Sequence, residues 1–213
     1  QARMSPLIIT ITLTLTQVRA PATPEMIKEC YEAMSQRQRV FVAAAGNEAM
    51  AEALNVRCDG NHEHEVIMGN APVHGGSQLV EGISGHSYGG TDSADNSGVL
   101  SYVRVWHGGA VVGANNEING ITFAGVGSGT TVDHIEVAYN LDDGVECFGG
   151  TVDMKYVSIL FCGDDGLDTD LGYQGRIQFL YVMVGETGNH GAEMDNNGGD
   201  VNTTPRSFPQ VYN

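Results

Sequence analysis

An all-β solenoid, a right-handed parallel β-helix with about 22–25 residues per rung, is the fold this sequence predicts. Three observations carry the expectation. Glycines recur at Gly98, Gly120, Gly144, Gly166 and Gly191, with separations of 22, 24, 22 and 25 residues. The last three each follow a β-branched residue, Ile135, Val157 and Val182, by 9 residues. Between the glycines stand short apolar runs bounded by Gly, Asn and Asp, the punctuation of strands and turns. Self-similarity at that period marks one structural unit per rung, and right-handed crossovers are the strong default for parallel strands.

Taken in order, the chain opens with a run that alternates at period two, Ile9-Thr10-Ile11-Thr12-Leu13-Thr14-Leu15-Thr16. Its isoleucines and leucines share one face of a strand and its threonines the other. Residues 23–55 read differently. Thr23-Pro24-Glu25 suits a helix start, Met26, Ile27, Cys30, Tyr31 and Met34 keep helical spacing, and Asn47 to Leu54 is alanine-rich. Residues 1–65 are therefore expected to form an N-terminal strand with a partly helical cap or insertion, and residues 66–213 the β-helix. Within the latter, expected strands are Leu100–Val105, Gly120–Ala124, Val132–Ala138, Gly144–Phe148, Tyr156–Phe161, Ile177–Val184 and Ala192–Met194. Stacked rungs would align Val137, Ile159 and Val184 as one interior ladder and Ile135, Val157 and Val182 as another.

Composition narrows the function classes. There are 10 Lys plus Arg against 26 Asp plus Glu, for a formal net charge of −16. Phosphate backbones are bound by clusters of Lys and Arg, so nucleic acid is not an expected partner. Residues 66–213 hold 18 acids and 4 bases, and residues 1–65 hold 8 and 6, so the acidic excess belongs to the β-helix. No run of 18 apolar residues is present, so no membrane span is expected. The four cysteines, Cys30, Cys58, Cys147 and Cys162, show no CxxC spacing. Cys30–Cys58 and Cys147–Cys162 are the simplest disulfides, other pairings remain open, and buried free thiols fit equally well.

Several segments carry a family likeness. They are Val66-Ile67-Met68-Gly69-Asn70-Ala71-Pro72, Gly89-Gly90-Thr91-Asp92, Ala94–Val105, Asn116–Thr122, Gly125–Thr131 and Asp142–Val152. Together they resemble a family of secreted bacterial proteins, lipoprotein-like or surface-sorted and mostly uncharacterised, with a right-handed parallel β-helix. The likeness spans about residues 66–200. It implies that fold and a secreted, extracellular or cell-surface location, and it implies no particular activity. The family usually has an aromatic residue where Cys147 stands.

Chemistry concentrates in the acidic turns. Asn140-Leu141-Asp142-Asp143-Gly144 is followed a rung later by Gly163-Asp164-Asp165-Gly166, and then by Gly188-Asn189-His190-Gly191. Just past each glycine comes another acid, Glu146, Asp168 and Glu193, with Asp170 and Asp195 two residues beyond the last two. Rung stacking would bring Glu146, Asp168 and Glu193 together on one face, where like charges repel unless a proton or cation neutralises them. Calcium, satisfied by six to eight oxygens, is the expected cofactor, with Asp143, Glu146, Asp168, Asp170, Glu193 and Asp195 as candidate ligands. Asp and Asn also form turns with no ligand at all. An extracellular role follows as the expectation: a structural, surface or filament component, or a carbohydrate-binding module. Its expected partner is a polysaccharide or cell-surface component, with a homo-oligomer or filament possible.

The alternative is a polysaccharide hydrolase or lyase. Asn140–Asp142, Asp164-Asp165 and Asn189-His190-Gly191 are similar in order to the motifs of polygalacturonase-type glycosidases. That resemblance makes Asp142, Asp164, Asp165 and His190 candidate catalytic residues, acting as the paired acid and base of an inverting mechanism. The family's Arg-Ile-Lys clamp is missing; Arg176-Ile177-Gln178 precedes His190 and lacks the lysine. Two weaker constellations are Cys58 with His62 and His64, and Trp106-His107 before Gly108-Gly109.

Overall fold

A run such as Val145–Phe148, closed by Gly149-Gly150, is too short to bury a core alone and gains one only by stacking on its neighbours. The computed structural model describes residues 40–43, 64–81, 85–113, 116–197, 199–200 and 202–213. They form fifteen strands. The first five are β1 Val40–Ala43, β2 His64–Met68, β3 Gln78–Leu79, β4 Ser87–Tyr88 and β5 Val99–Trp106. Then come β6 Ala110–Gly113, β7 Asn116–Ile118, β8 Ile121–Ala124, β9 Thr131–Ala138 and β10 Val145–Phe148. The last are β11 Asp153–Leu160, β12 Leu167–Asp170, β13 Arg176–Met183, β14 Ala192–Met194 and β15 Gln210–Tyr212.

From β8 onward the strands alternate between two sheets, ordered β1-β2-β8-β10-β12-β14 and β15-β13-β11-β9-β5, while β3 with β4 and β6 with β7 form two short antiparallel pairs outside them. Each turn of the coil contributes a short strand to the first sheet and a longer one to the second. Every pairing within the coil is parallel; β1 alone joins its sheet antiparallel, against β2. This is the expected parallel β-helix, and the expected strands match to within a few residues. β1 lies inside the stretch read as partly helical. The threonine-faced run at 9–16, Cys30, Cys58, His62 and the helical spacings at 23–39 and 47–54 lie outside the described residues.

The interior is a set of ladders. Ile121, Phe123, Val145, Cys147 and Leu167 point inward from the first sheet and meet Ile135, Val137, Val157 and Ile159 from the second. The register corrects one expectation. Val157 pairs with Leu180 and Ile159 with Val182, so Val182 belongs to the ladder assigned to Val184, and Val184 is exposed. Gly166 and Gly191 are spaced one to three residues wider than the other pairs. Against the spacing of β10 and β12, one extra residue falls between β12 and β13 and two in the turn after β13, and the strands stay in parallel register.

The long strands are bent. In β9, Val132 is buried, Asp133 and His134 both face outward, and Ile135 is buried again. One residue in the left-handed region resets the inward–outward alternation, and it recurs on every rung: Tyr102, His134, Tyr156 and Phe179, with φ of 58, 51, 58 and 61°. Those four rings stack on one another with centroids 4.4–5.0 Å apart. A second corner repeats the arrangement with His107, Tyr139 and Phe161.

The glycine ladder marks a close approach. A Cβ on Gly144 would stand 2.7 Å from the carbonyl oxygen of Gly166 and collide with Ile159, and Gly120 and Gly166 are enclosed in the same way. Their amides donate one rung on, Gly120 to Asp143, Gly144 to Asp165 and Gly166 to His190, at 3.0 Å each.

Residues 69–81 and 85–98 leave the coil and fold back across the outer face of the first sheet. Val73, Val80 and Tyr88 pack there against Val66, Ala124 and Phe148. His74 fastens this roof to the C-terminal segment, with Nε2 2.6 Å from the Pro205 carbonyl oxygen. A disulfide between Cys147 and Cys162 is not formed: both are buried free thiols, Cys147 inside the coil and Cys162 in the turn after β11. None of the described residues forms a helix long and apolar enough to cross a membrane.

Candidate functional site

Outward positions of a β-helix sheet stack in register, so the acid past each ladder glycine must lie beside its counterpart one rung away. Glu146 of β10 pairs with Asp168 of β12, and Asp168 with Glu193 of β14. The adjoining turns add more acids. Asp165 N–H donates to Asp143 Oδ1 at 2.9 Å, and His190 N–H donates to Asp165 Oδ1 at 2.6 Å. Each turn carboxylate thus also bonds the backbone of the next rung, which is the structural use expected of turn acids.

The structure gathers these residues into three neighbouring sets: Asp142 with Asp143 and Asp164; Asp143 with Glu146 and Asp168; and Asp165 with His190 and Glu193. In each set one ligand atom per residue lies within 4.8 Å of the others. The candidate catalytic residues therefore divide between two places, Asp142 with Asp164 and Asp165 with His190. Asp170 pairs in register with Phe148, and its Oδ1 accepts the Leu171 amide at 2.6 Å. Asp195 follows β14 and donates its amide to Thr169. Neither is in the three sets. Trp106 bonds Glu136 through Nε1, and His107 stacks on Tyr139; neither is in the three sets.

Burial dominates the electrostatics. Asp143 and Glu146 are 8% and 7% exposed and have no basic partner among the described residues. Burial, reinforced by Asp142, Asp168 and Asp165, lifts Asp143 to about 8 against an opposing bond from the Asp165 amide. Glu146 rises well above the ordinary carboxyl range through burial and then through Asp168, Asp143 and Glu81. Asp168 reaches about 6 for the same first reason, restrained by the Thr169 amide and by a bond from Glu146. Glu193 reaches about 7, chiefly through its hydrogen bond with the Asp165 side chain. His190 Nδ1 lies 3.1 Å from Asp165 and 3.7 Å from Glu193.

Sequence reasoning assigned no role to Asn119. It is 3% exposed, its Nδ2 donates to Glu146 Oε2, and its Oδ1 has no hydrogen-bond partner. The signal was present in the chain: Asn119, Asp143, Asp165 and His190 are the residues before Gly120, Gly144, Gly166 and Gly191. Tyr88 was missed as well. Its place over the sheet comes from the roof, and burial followed by the Glu146 charge keeps its phenol from ionising.

The donor set suits a hard cation. Calcium takes oxygens at about 2.3–2.6 Å, so ligands on opposite sides of one ion stand about 5 Å apart. The ligand oxygens of Asp143, Glu146 and Asp168 all lie within 4.8 Å of one another, inside that span, and the set is made of oxygens alone. The unpartnered Asn119 Oδ1 beside Glu146 is a further oxygen in want of a donor or a cation.

The family model for a pectate-lyase like beta helix domain matches residues 11–213. No curated protein matches the chain, and no solved structure does.

Proposed function

The chain belongs to the family of pectate-lyase-like β-helix domains, and from that premise we propose that it binds a polysaccharide outside the cell along the acidic strip of its first sheet. In this reading Asp143, Glu146 and Asp168 hold a calcium ion at the roofed end of the strip. The carrying observation is the register that stacks Glu146, Asp168 and Glu193 with none of the described lysines or arginines bonded to them. Such a ladder is repulsive until something neutralises it, and a bound cation would do so. The glycan meets the open end, where Asp164 and His190 are exposed and Glu193 partly so. Titrating calcium into chelator-treated protein is expected to raise its melting temperature by several degrees. Asp168→Asn should lose most of that response. Equal melting with calcium and with chelator would remove the ion from the reading.

One observation favours a second reading, a hydrolase or lyase. Asp165 holds both the backbone amide and Nδ1 of His190, and Glu193, raised to about 7, lies beside the same imidazole. A positioned imidazole next to a carboxyl that titrates near neutrality is general acid–base equipment. Cleavage of polysaccharides is checked by reducing-end release and by the absorbance of unsaturated products, with wild type against Asp165→Asn. An enzyme should lose at least a hundredfold in rate in the variant; equal or absent turnover in both proteins would leave binding as the function.

A further inference from the structure

Two buried acceptors without hydrogen-bond partners flank Glu146. Asn119 is 3% exposed; its Nδ2 donates to Glu146 Oε2, and its Oδ1 beside that carboxyl is unpartnered. Asp168, in register with Glu146, has its Oδ1 buried and unpartnered as well. A buried acceptor left unpaired is costly, because it has given up water without a replacement. Asp168 is a member of the set formed with Asp143 and Glu146, and Asn119 is bonded to another member of it. An amide at position 119 adds an oxygen there without a fourth negative charge, and calcium takes amide as well as carboxylate oxygens.

The roof closes over the same place. Val66, Thr122 and Glu146 follow one another in an outward column of the first sheet, and Phe148 lies two residues past Glu146 on the same face. Val73, Val80 and Tyr88 of the roof pack in one cluster with Val66 and Phe148, so apolar contacts flank Glu146 along its column and along its strand. Beneath them Thr122 is 4% and Glu146 7% exposed. The roof also carries Glu81, the residue after Val80, whose charge acts on Glu146. Closing the roof removes water from a set of carboxylates and brings another acid towards them, a cost that a bound cation offsets. Linkage makes the effect reciprocal: an ion that favours the closed roof is held more tightly by it.

We propose that Asn119 is a ligand of the calcium ion and that this ion locks the roof. Residues 69–81 and 85–98 stay closed over Glu146 in the loaded protein and open when the ion is removed. The inference rests on the calcium reading above and adds to it a fourth ligand and a regulatory consequence. The ion is enclosed by the chain instead of being shared with a glycan, and the roofed end of the strip is accessible only after the ion leaves. The amides of Ala71 and His74 bond Gly125 and Leu171 of the coil, and those of Gly89 and Gly90 bond Gly69 and Ala71 within the roof. Their hydrogen exchange therefore reports its opening.

Exchange measured by mass spectrometry on the full chain, with calcium and with chelator at one pH, tests the lock. Chelator is expected to speed exchange of these roof amides at least tenfold and to leave the amides of β9 and β11 unchanged. Calorimetric titration with calcium tests the ligand. Asn119→Ala should bind calcium at least tenfold more weakly than wild type. Asn119→Asp, which keeps an oxygen but loses the Nδ2 donor, should bind no more than threefold more weakly. Equal weakening in both variants would show that Asn119 only holds Glu146 through its amide nitrogen, and wild-type affinity in Asn119→Ala would show that it takes no part; either result overturns the proposal. Calcium binding with unchanged roof exchange, or with exchange slowed equally across β9 and β11, also overturns it and leaves the calcium reading standing. Absence of calcium binding by the wild type would remove both.

Discussion

At the scale of single residues, the acids of the strip are held in a state that water would not give them. Asp143, at about 8, and Asp168, at about 6, both stand above the ordinary Asp value of 3.8, and burial is the first cause for each. The sign of the linkage follows. Between 3.8 and the raised values the folded chain binds more protons than the unfolded chain, so stability falls as pH rises through that window. Chelator-treated protein should therefore melt higher at pH 5 than at pH 8, and calcium should shrink the difference by neutralising the same carboxylates. A melting temperature rising from pH 5 to pH 8 under chelator would show that these groups are ionised and satisfied in the fold. Glu146, Asp168 and Glu193 were legible as neighbours because a period near 22 residues, two-residue alternation along a strand and parallel register place them with little freedom. Asn119 was equally placed by the glycine after it, but an amide lacks the charge that draws notice to an acid.

At the scale of the element, the long strands hold a feature that alternation hides. Val132–Ala138 reads as one strand, yet His134 in the left-handed region lets Val132 and Ile135 both face the core across two outward residues. A left-handed backbone costs a bulky residue about 1–2 kcal/mol. Each aromatic neighbour in the stack returns about 0.5–1.5 kcal/mol. Tyr156 lies between His134 and Phe179, so it has two such neighbours to offset the strain. Tyr156→Ala should therefore lose about 2 kcal/mol in denaturant unfolding, because it loses the stack and keeps the strain. Tyr156→Gly should be no worse than alanine, reversing the usual ranking within a strand. A glycine variant clearly less stable than the alanine variant would show that the corner is not strained. The aromatic at each corner is visible in the chain, at Tyr102, His134, Tyr156 and Phe179, but its φ is not. Sequence alternation cannot distinguish a flat strand from one that turns a corner by shifting phase.

At the scale of the whole molecule, the glycine period, the β-branched residues nine positions earlier and the acids just beyond determined the coil, its strands and the line of carboxylates. Those are consequences of repetition: once one rung is placed, stacking at a fixed spacing places its successors. What repeats least was left for the tertiary structure to decide. The excursion of residues 69–81 and 85–98 has no counterpart among the described residues of the later rungs, and only its packing of Val73, Val80 and Tyr88 on Ala124 and Phe148 shows that it roofs the strip. That roof buries Glu146 and leaves Asp164 and His190 open, so it divides one acidic line into a cation-suited end and an accessible end. The state of Cys147 and Cys162, which their spacing left open, was settled in the same way: both are free thiols buried in the interior cluster. Local pattern fixes the face a side chain takes within its own strand. What covers that face depends on contacts between residues distant in the chain, and these set the burial, and through it the charge, of the site.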